Sequence, residues 1–277
     1  MENLIALFSF GFFRNAFLAA FLASITCGII GTYIVSRRIV FISGGITHAS
    51  FGGIGLGYYF GFDPIAGAIG FGILSALGIE FFTTRADLRE DSAIAMLWSL
   101  GMALGVIFIF LTPGYAPNLM NYLFGNILTV SKGDLMYLFF LAVFVIGFFL
   151  LFYRMIIFVS FDEEFALTNN APVRLFNSLL ISLVALTIVL NIRVVGIILV
   201  MSLLTIPQAI ANLFTKRFDV MMLYSIAIGF LGSVIGLALS YIYDIPSGAA
   251  IIFTLVVLYG MIKVLFLLFA KGINVEQ

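Results

Sequence analysis

Ionisable and redox-active side chains are scarce in this sequence. Only 9% of its 277 residues are charged, one residue is a histidine and one is a cysteine. A lone cysteine cannot form an intrachain disulfide, and a lone histidine cannot supply most metal sites or catalytic triads. Thirteen basic residues balance thirteen acidic ones, so the net charge does not indicate a nucleic-acid partner. The composition therefore argues against most hydrolytic enzymes and against a protein that binds nucleic acid.

Motifs of nucleotide hydrolysis and of proteolysis are also absent from the sequence. There is no Gly-x-x-x-x-Gly-Lys-Ser/Thr phosphate loop, no His-Glu-x-x-His and no Gly-x-Ser-x-Gly. An intramembrane aspartyl protease would need two carboxylates at membrane depth, whereas the aspartates here fall at the ends of predicted spans. We therefore expect no enzymatic activity in this chain and no permanently bound cofactor.

Hydrophobic residues make up 63% of the chain, and the mean hydropathy is +1.23. The apolar runs are long and repeated, as helices that span a bilayer require. The sequence predicts an all-α, polytopic transmembrane helical bundle of eight or nine spans, surrounded by membrane lipid and forming a single domain over residues 1–277. Between residues 176 and 207 two alternatives stay open: two full crossings, or a broken-helix hairpin around residues 191–193.

The basic residues indicate the orientation of these spans. Ten of the thirteen fall at inner ends or inner loops, which the positive-inside rule assigns to the cytoplasm. Only Arg14, Lys132 and Arg193 fall outside. The ten inner residues are Arg37, Arg38, Arg85, Arg89, Arg154, Arg174, Lys216, Arg217, Lys263 and Lys271.

The second predicted span holds the only histidine, His48, in a glycine-rich apolar helix. Small residues recur at every fourth position of this helix and form a ridge along which another helix can approach closely. The ridge consists of Gly45, Ala49, Gly53, Gly57 and Gly61. We therefore predict that the ridge is a packing surface.

His48 lies beside this ridge, with Gly44 and Gly52 one helical turn before and after it. This spacing predicts open space on the imidazole's own face, large enough for an ion. Neutral imidazole is a common ligand of zinc and other transition metals, and an ionisable side chain at membrane depth indicates a functional site. We predict a substrate pathway lined by His48, Gly44, Thr47 and Gly52, with His48 as the metal ligand. The alternative is a histidine whose hydrogen bonds are satisfied by a carbonyl or hydroxyl of a neighbouring helix.

Five segments, in this order along the chain, carry a resemblance. They cover residues 37–41 leading to 47–49, then 123–128, 161–166, 195–207 and 243–248. Together they resemble the membrane subunit of zinc, manganese and iron importers of the ABC class. The resemblance implies a multi-pass permease in a bacterial or archaeal cytoplasmic membrane, which transports a metal ion through a two-fold pore formed by a homodimer. It also implies two partners, a separate ATP-binding cassette subunit that hydrolyses ATP and an extracytoplasmic metal-binding protein.

One position departs from the family's usual pattern. An aspartate ordinarily precedes the histidine by four residues, which places carboxylate and imidazole on one helix face as a metal pair. Gly44 stands there instead, so the anionic half of the pair is missing. Two alternatives to a metal-ion permease therefore stay open: a permease for a metal chelate or other cofactor, and a secondary transporter that works without ATP.

The resemblance also assigns roles to two cytoplasmic segments. Residues 207–217 resemble the short coupling helix that related importers insert into a groove of the ATPase. Its candidate residues are Pro207 and Gln208 at the start, Leu213 and Phe214 in the groove, and Lys216 and Arg217 at the rim. The acidic Asp162, Glu163 and Glu164 are expected near the same subunit. The alternatives are an ordinary positive-inside loop for the first segment and a solvated acidic loop for the second.

Two aspartates, Asp63 and Asp244, lie at the predicted outer mouth. They are candidates to attract cations or to dock the binding protein. Because each lies close to a proline in a predicted turn, the alternative is that they only close these turns.

Overall fold

The computed structural model describes residues 9–113, 125–161, 168 and 172–273, and within these ranges the chain is helical without strands. Ten α-helices and one 3-10 turn follow each other in the described part of the chain. In chain order they are α1 Gly11–Ser36, α2 Val40–Phe60, α3 Pro64–Arg85, α4 Glu90–Leu111, the 3-10 turn Ile127–Thr129, α5 Lys132–Phe161, α6 Val173–Val195, α7 Ile197–Leu203, α8 Ile206–Phe214, α9 Phe218–Tyr243 and α10 Ser247–Ile273.

The helix ends follow the local chemistry that the sequence predicts. Helix α2 ends at Gly61, which adopts the left-handed conformation (φ 74°) that glycine allows without steric cost. Helix α3 begins directly afterwards with Pro64, whose fixed φ suits a first helical turn. The charged residues between α3 and α4 separate two long apolar helices. These turns give each helix a defined length and an antiparallel neighbour.

Eight segments in the described residues are long and apolar enough to cross a membrane, which confirms the predicted bundle of eight or nine spans. Seven are the helices α1, α3, α4, α5, α6, α9 and α10, and the eighth is Ile197–Phe214, which joins α7 and α8. The 21-residue α2 is not among them, because its glycines, hydroxyl residues and histidine lower its hydropathy.

The region from 176 to 207 contains most of the continuous helix α6, the short helix α7 and the first residues of α8. Helix α6 runs without interruption through residues 191–193 and ends at Val195. The chain then breaks at Gly196, with φ 83° and ψ 163°, a combination that is essentially restricted to glycine. A second break separates α7 from α8 at Leu204 and Thr205. The structure therefore agrees with the alternative of two crossings. The candidate spans are Val173–Val195 and Ile197–Phe214, and the second one is interrupted at Leu204 and Thr205.

Contacts between helix ends agree with the predicted sidedness. At the inner side, the Arg37 guanidinium donates a hydrogen bond to the Val159 carbonyl, 2.5 Å away. At the outer side, the Arg193 Nε lies 2.5 Å from the Asp134 carboxylate. Ends that were assigned to the same side therefore meet, and the outer Arg193 is paired with an acidic residue.

Helix α2 lies between α3 and α4, and glycines make both contacts. A methyl group at Gly53 would overlap the Gly67 carbonyl of α3, and one at Gly55 would lie 2.6 Å from the Gly105 carbonyl oxygen of α4. Backbone therefore touches backbone on both sides, without an intervening layer of side chains. The predicted packing ridge is confirmed for Gly45, which contacts α4, and for Gly53 and Gly57, which contact α3, whereas nothing lies within 4 Å of a methyl group at Gly61.

Candidate functional site

His48 is positioned by a stacked aromatic ring from α4. Its imidazole lies parallel to the indole of Trp98, with ring centroids 4.3 Å apart and an interplanar angle of 6°. Both side chains are half-buried. The prediction of open space on this face of His48 is therefore wrong, because the indole of Trp98 fills that space.

The space beside Gly44 is also occupied. A methyl group at this position would lie 3.2 Å from the Met201 Cε of α7 and 3.7 Å from the Trp98 Cζ3. Gly44 itself is buried. The place of the missing carboxylate is thus taken by a thioether side chain and by the edge of the same indole that stacks on His48.

Like Gly44, two further residues of the four predicted for the pathway do not reach an open surface. Thr47 is fully buried, and its hydroxyl donates a hydrogen bond to the Ser43 carbonyl of its own helix. Gly52 is buried against α4, because a methyl group there would lie 2.9 Å from the Gly101 carbonyl oxygen. The prediction that Thr47 and Gly52 line an open pathway is therefore corrected: both are packing positions of the helix contact.

The nitrogen atoms of His48 distinguish the two interpretations of this residue. Nδ1 is buried and has no hydrogen-bond partner among the described residues, so a neighbouring carbonyl or hydroxyl does not satisfy it. Within the same described part of the chain, no three side chains of the types His, Cys, Asp and Glu come together as a metal site. A metal ion bound at His48 would therefore need further ligands of another type or from another chain.

The two aspartates of the predicted outer mouth lie in helix-terminal turns. The Asp63 Oδ1 accepts a hydrogen bond from the backbone N–H of Ile65 at 3.0 Å and thereby caps α3. Asp244 ends α9 in the left-handed conformation, with φ 53°. Both side chains are exposed. The turn-closing role is thus present in the structure, and the roles in cation attraction or docking stay predictions.

The start of the predicted coupling helix lies inside the bundle. Gln208 is fully buried, and its side-chain amide donates hydrogen bonds to the Cys27 carbonyl of α1 at 2.9 Å and to the Leu203 carbonyl at 3.1 Å. Pro207 is buried as well. The assignment of Pro207 and Gln208 to an ATPase contact is therefore corrected, because neither side chain is accessible to a partner.

The end of α8 is the exposed part of this segment. Phe214 is 55% exposed and Leu213 is half-buried. The Lys216 ammonium donates to the Asn212 carbonyl at 2.9 Å, and the Arg217 guanidinium donates to the Asp219 carboxylate at 2.8 Å. This hydrogen bond raises the pKa of Arg217. Asp162, Glu163 and Glu164 lie outside the described residues.

Comparison with known proteins places the chain in a family. The model of the ABC 3 transport family matches residues 9–266. The chain is 40% identical over 259 residues to an uncharacterized membrane protein of Synechocystis sp., covering 94% of this chain and 92% of that protein. It is 34% identical over 255 residues to the manganese transport system membrane protein MntC of Halalkalibacterium halodurans, covering 92% and 87%.

A solved structure agrees with this match. PsaBC from Streptococcus pneumoniae in complex with Fab superposes with a TM-score of 0.84 at 30% sequence identity, covering 94% of each chain. The chain therefore belongs to the ABC 3 transport family and is a multi-pass membrane protein.

Trp98 and Met201 are the two site residues that the sequence analysis did not identify. Trp98 comes from α4 and stacks on His48, whereas Met201 comes from α7 and approaches Gly44, one helical turn before His48. Both reach α2 only through the tertiary fold. Trp98 is the only tryptophan of the chain, and this rarity was the one feature of the sequence that could have drawn attention to it. Met201 is one of ten methionines, and nothing in its local sequence distinguishes it.

Proposed function

We propose that this chain is the membrane permease of an ATP-driven metal-ion importer for zinc, manganese or iron. It acts as a homodimer with a separate ATP-binding cassette subunit and receives its substrate from an extracytoplasmic metal-binding protein. The observation that supports this function best is His48, a half-buried imidazole with an unpartnered nitrogen in the central helix of an ABC 3 family member. The names of the relatives support a metal ion as the substrate.

His48 is the residue that contacts the ion in this proposal. A dication that leaves water for a low-dielectric pathway needs nitrogen, oxygen or sulfur ligands that replace its hydration shell. One imidazole per chain is too few, and a two-fold axis beside α2 would supply a second His48 from the other copy. This requirement is the physical reason for the homodimer.

Coupling to the ATPase is assigned to the end of α8. Phe214 and Leu213 present apolar surface there, next to the two basic residues Lys216 and Arg217. Apolar anchors surrounded by a charged rim are typical of the centre of a protein interface. Asp162, Glu163 and Glu164 belong to the same cytoplasmic face in the predicted topology.

The two alternatives are less well supported. A bulky chelate would need room beside the glycines of α2, but backbone of α3 and α4, Met201 and Trp98 fill this room. A secondary transporter would not require the ATPase. Dependence of uptake on that subunit is the difference that an experiment can measure.

The experiment uses the chain with the subunits that co-purify with it from its own host, reconstituted into liposomes. We expect uptake of ⁶⁵Zn²⁺, ⁵⁴Mn²⁺ or ⁵⁵Fe²⁺ that requires ATP and the binding protein and that His48→Ala abolishes without loss of assembly. Uptake that continues without ATP hydrolysis would favour a secondary transporter. Absence of uptake for all three ions would refute the proposal.

A further inference from the structure

We infer that Met201 is a second substrate ligand beside His48 and that this imidazole and thioether pair makes the pathway selective for borderline and soft cations, such as Zn²⁺, over the hard Mn²⁺. The inference rests on the proposed function, because it concerns the same site. It adds a ligand and the chemical class of the preferred ion.

The geometry places both groups on one face of α2. Residues four apart on a helix are neighbours on its surface, so the position of Gly44 lies next to that of His48. The end of the Met201 side chain reaches this position, with its Cε 3.2 Å from where a methyl group on Gly44 would lie. Met201 is half-buried, as His48 is. The methyl end of the Met201 thioether thus lies beside Gly44, the position from which the family's usual aspartate would extend.

The surroundings of this pair contain no competing carboxylate ligand. The only acidic residues in α2, α4 and α7 are Glu90 and Asp91, in the first turn of α4, two helical turns from Trp98. The hydroxyls of Ser43, Thr47 and Ser50 donate to carbonyls of α2 itself. The sulfur of Met201 and the imidazole nitrogen of His48 are therefore the donors that we consider for an ion beside Gly44.

The ligand types determine which ions such a site prefers. Thioether sulfur and imidazole nitrogen suit soft and borderline metals, whereas carboxylate, carbonyl and water oxygen suit Mn²⁺ and other hard cations. A glycine in the place of the aspartate, with the end of a methionine beside it, removes a negative charge and a hard donor together. The pair in this chain should therefore bind Zn²⁺ more tightly than Mn²⁺.

Trp98 is the positioning residue of the site. A histidine that binds metal is usually oriented by a hydrogen bond from its other ring nitrogen, but Nδ1 of His48 has no such partner among the described residues. The parallel indole holds the ring plane instead. Its Cζ3 also approaches Gly44 within contact distance of an added methyl group, so one ring borders both His48 and the position that the end of Met201 approaches.

Trp98 also provides a direct measurement, because it is the only tryptophan in the chain. We propose to titrate the purified full chain in detergent with Zn²⁺ and to follow the tryptophan emission, with Mn²⁺ added as a competitor. Zn²⁺ should change the emission to saturation, and Mn²⁺ should compete only at a concentration at least about tenfold higher. His48→Ala should abolish the response.

Met201→Leu tests the ligand while conserving volume, since Leu and Met exchange with little effect on packing. We expect Zn²⁺ affinity to fall at least about tenfold, with an unchanged melting temperature. Met102→Leu is the matched control, because Met102 is a half-buried methionine of α4 that packs in another cluster. The double variant Gly44→Asp with Met201→Leu should reverse the preference toward Mn²⁺.

The outcomes separate this inference from the proposed function. Unchanged Zn²⁺ and Mn²⁺ affinities in Met201→Leu would overturn the inference, and so would an equal loss of both, which indicates a packing role. If His48→Ala still abolishes ATP-dependent uptake in either case, the proposed function stands. A wild-type complex that takes up neither ion overturns both.

Discussion

The side-chain amide of Gln208 in α8 donates a hydrogen bond to the backbone carbonyl of Cys27 in α1, 2.9 Å away in the interior of the bundle. This contact is possible because Gly31 lies opposite it, where a methyl group would overlap the Gln208 side chain. The Gln208 amide also donates a hydrogen bond to the Leu203 carbonyl, which lies at the end of α7 where the helix is interrupted. The Gln208 side chain therefore links the interrupted span Ile197–Phe214 to α1.

Replacing Gln208 by Ala should lower stability without affecting a partner contact directly. The change removes the side-chain hydrogen bonds to the Cys27 and Leu203 carbonyls and creates a cavity, which together should cost about 1 to 3 kcal/mol. A thermal melt of the purified chain in detergent measures this loss. Lys216→Ala, at the exposed end of the same region, is the control and should melt like wild type. A Gln208→Ala chain with unchanged stability but lost ATPase binding would restore the original coupling assignment.

Gly53→Ala should destabilise the protein even though it adds only one methyl group. The group would overlap the Gly67 carbonyl, and because backbone cannot rotate away, α2 and α3 must separate. Overpacking of this type costs about 1 to 3 kcal/mol. Gly70→Ala on α3 is the matched control, since nothing lies within 4 Å of the added group. Equal melting temperatures for the two variants would show that the α2 and α3 contact is looser than described.

Gly196→Ala should disturb the junction of α6 and α7. The backbone there has φ 83° and ψ 163°, and a residue with a Cβ adopts this conformation at a cost of about 1 to 3 kcal/mol. The expected result is a lower melting temperature and a lower yield of folded protein. Gly147→Ala in α5 is the control and should have no such effect, because nothing lies within 4 Å of the added methyl group. Similar losses in both variants would mean that the strained backbone at Gly196 is not the cause, since Ala has a higher helix propensity than Gly and should not destabilise α5.

Replacing both Leu213 and Phe214 by Asp should prevent assembly with the ATPase. Charges placed in an apolar groove without partners cost several kcal/mol, while Phe214 is exposed in the isolated chain, so insertion and folding should survive. Co-purification of the ATPase measures the effect. Tyr243→Asp, at the exposed outer end of α9, provides the control and should retain the partner. A double variant that still co-purifies and supports uptake would refute the coupling surface.

The sequence predicts the helices well because their ends depend on local chemistry. Gly61 and Pro64 mark a turn in any context, and the charged residues between α3 and α4 cannot lie within a bilayer. His48 was likewise identifiable, since an ionisable group in an apolar helix is conspicuous. Its surroundings were not predictable, because Trp98 and Met201 reach it from helices that are remote along the chain.

Gln208 shows a second limit of the sequence. The resemblance of residues 207–217 to a coupling helix predicted that Gln208 lies at a partner's surface. Its burial depends on Gly31 and on the free carbonyl of Leu203, which belong to other segments. The helical spacing of the buried residues Pro207, Ile210 and Ala211 was the available signal that this segment has an inward face.

The glycine contacts of α2 have a consequence for motion. Where backbone meets backbone on both sides, α2, α3 and α4 cannot slide past one another in small steps, and they should move as one rigid block. Spin-label distances between α3 and α4 should accordingly stay constant through an ATP cycle, while distances from this block to α7 change. Met201 is attached to α7 between two breaks in the helix, at Gly196 and at Leu204 and Thr205. If Met201 is a ligand as we infer, a movement of this short segment relative to the rigid block would change the distance between the thioether and the imidazole, and with it the affinity for the ion.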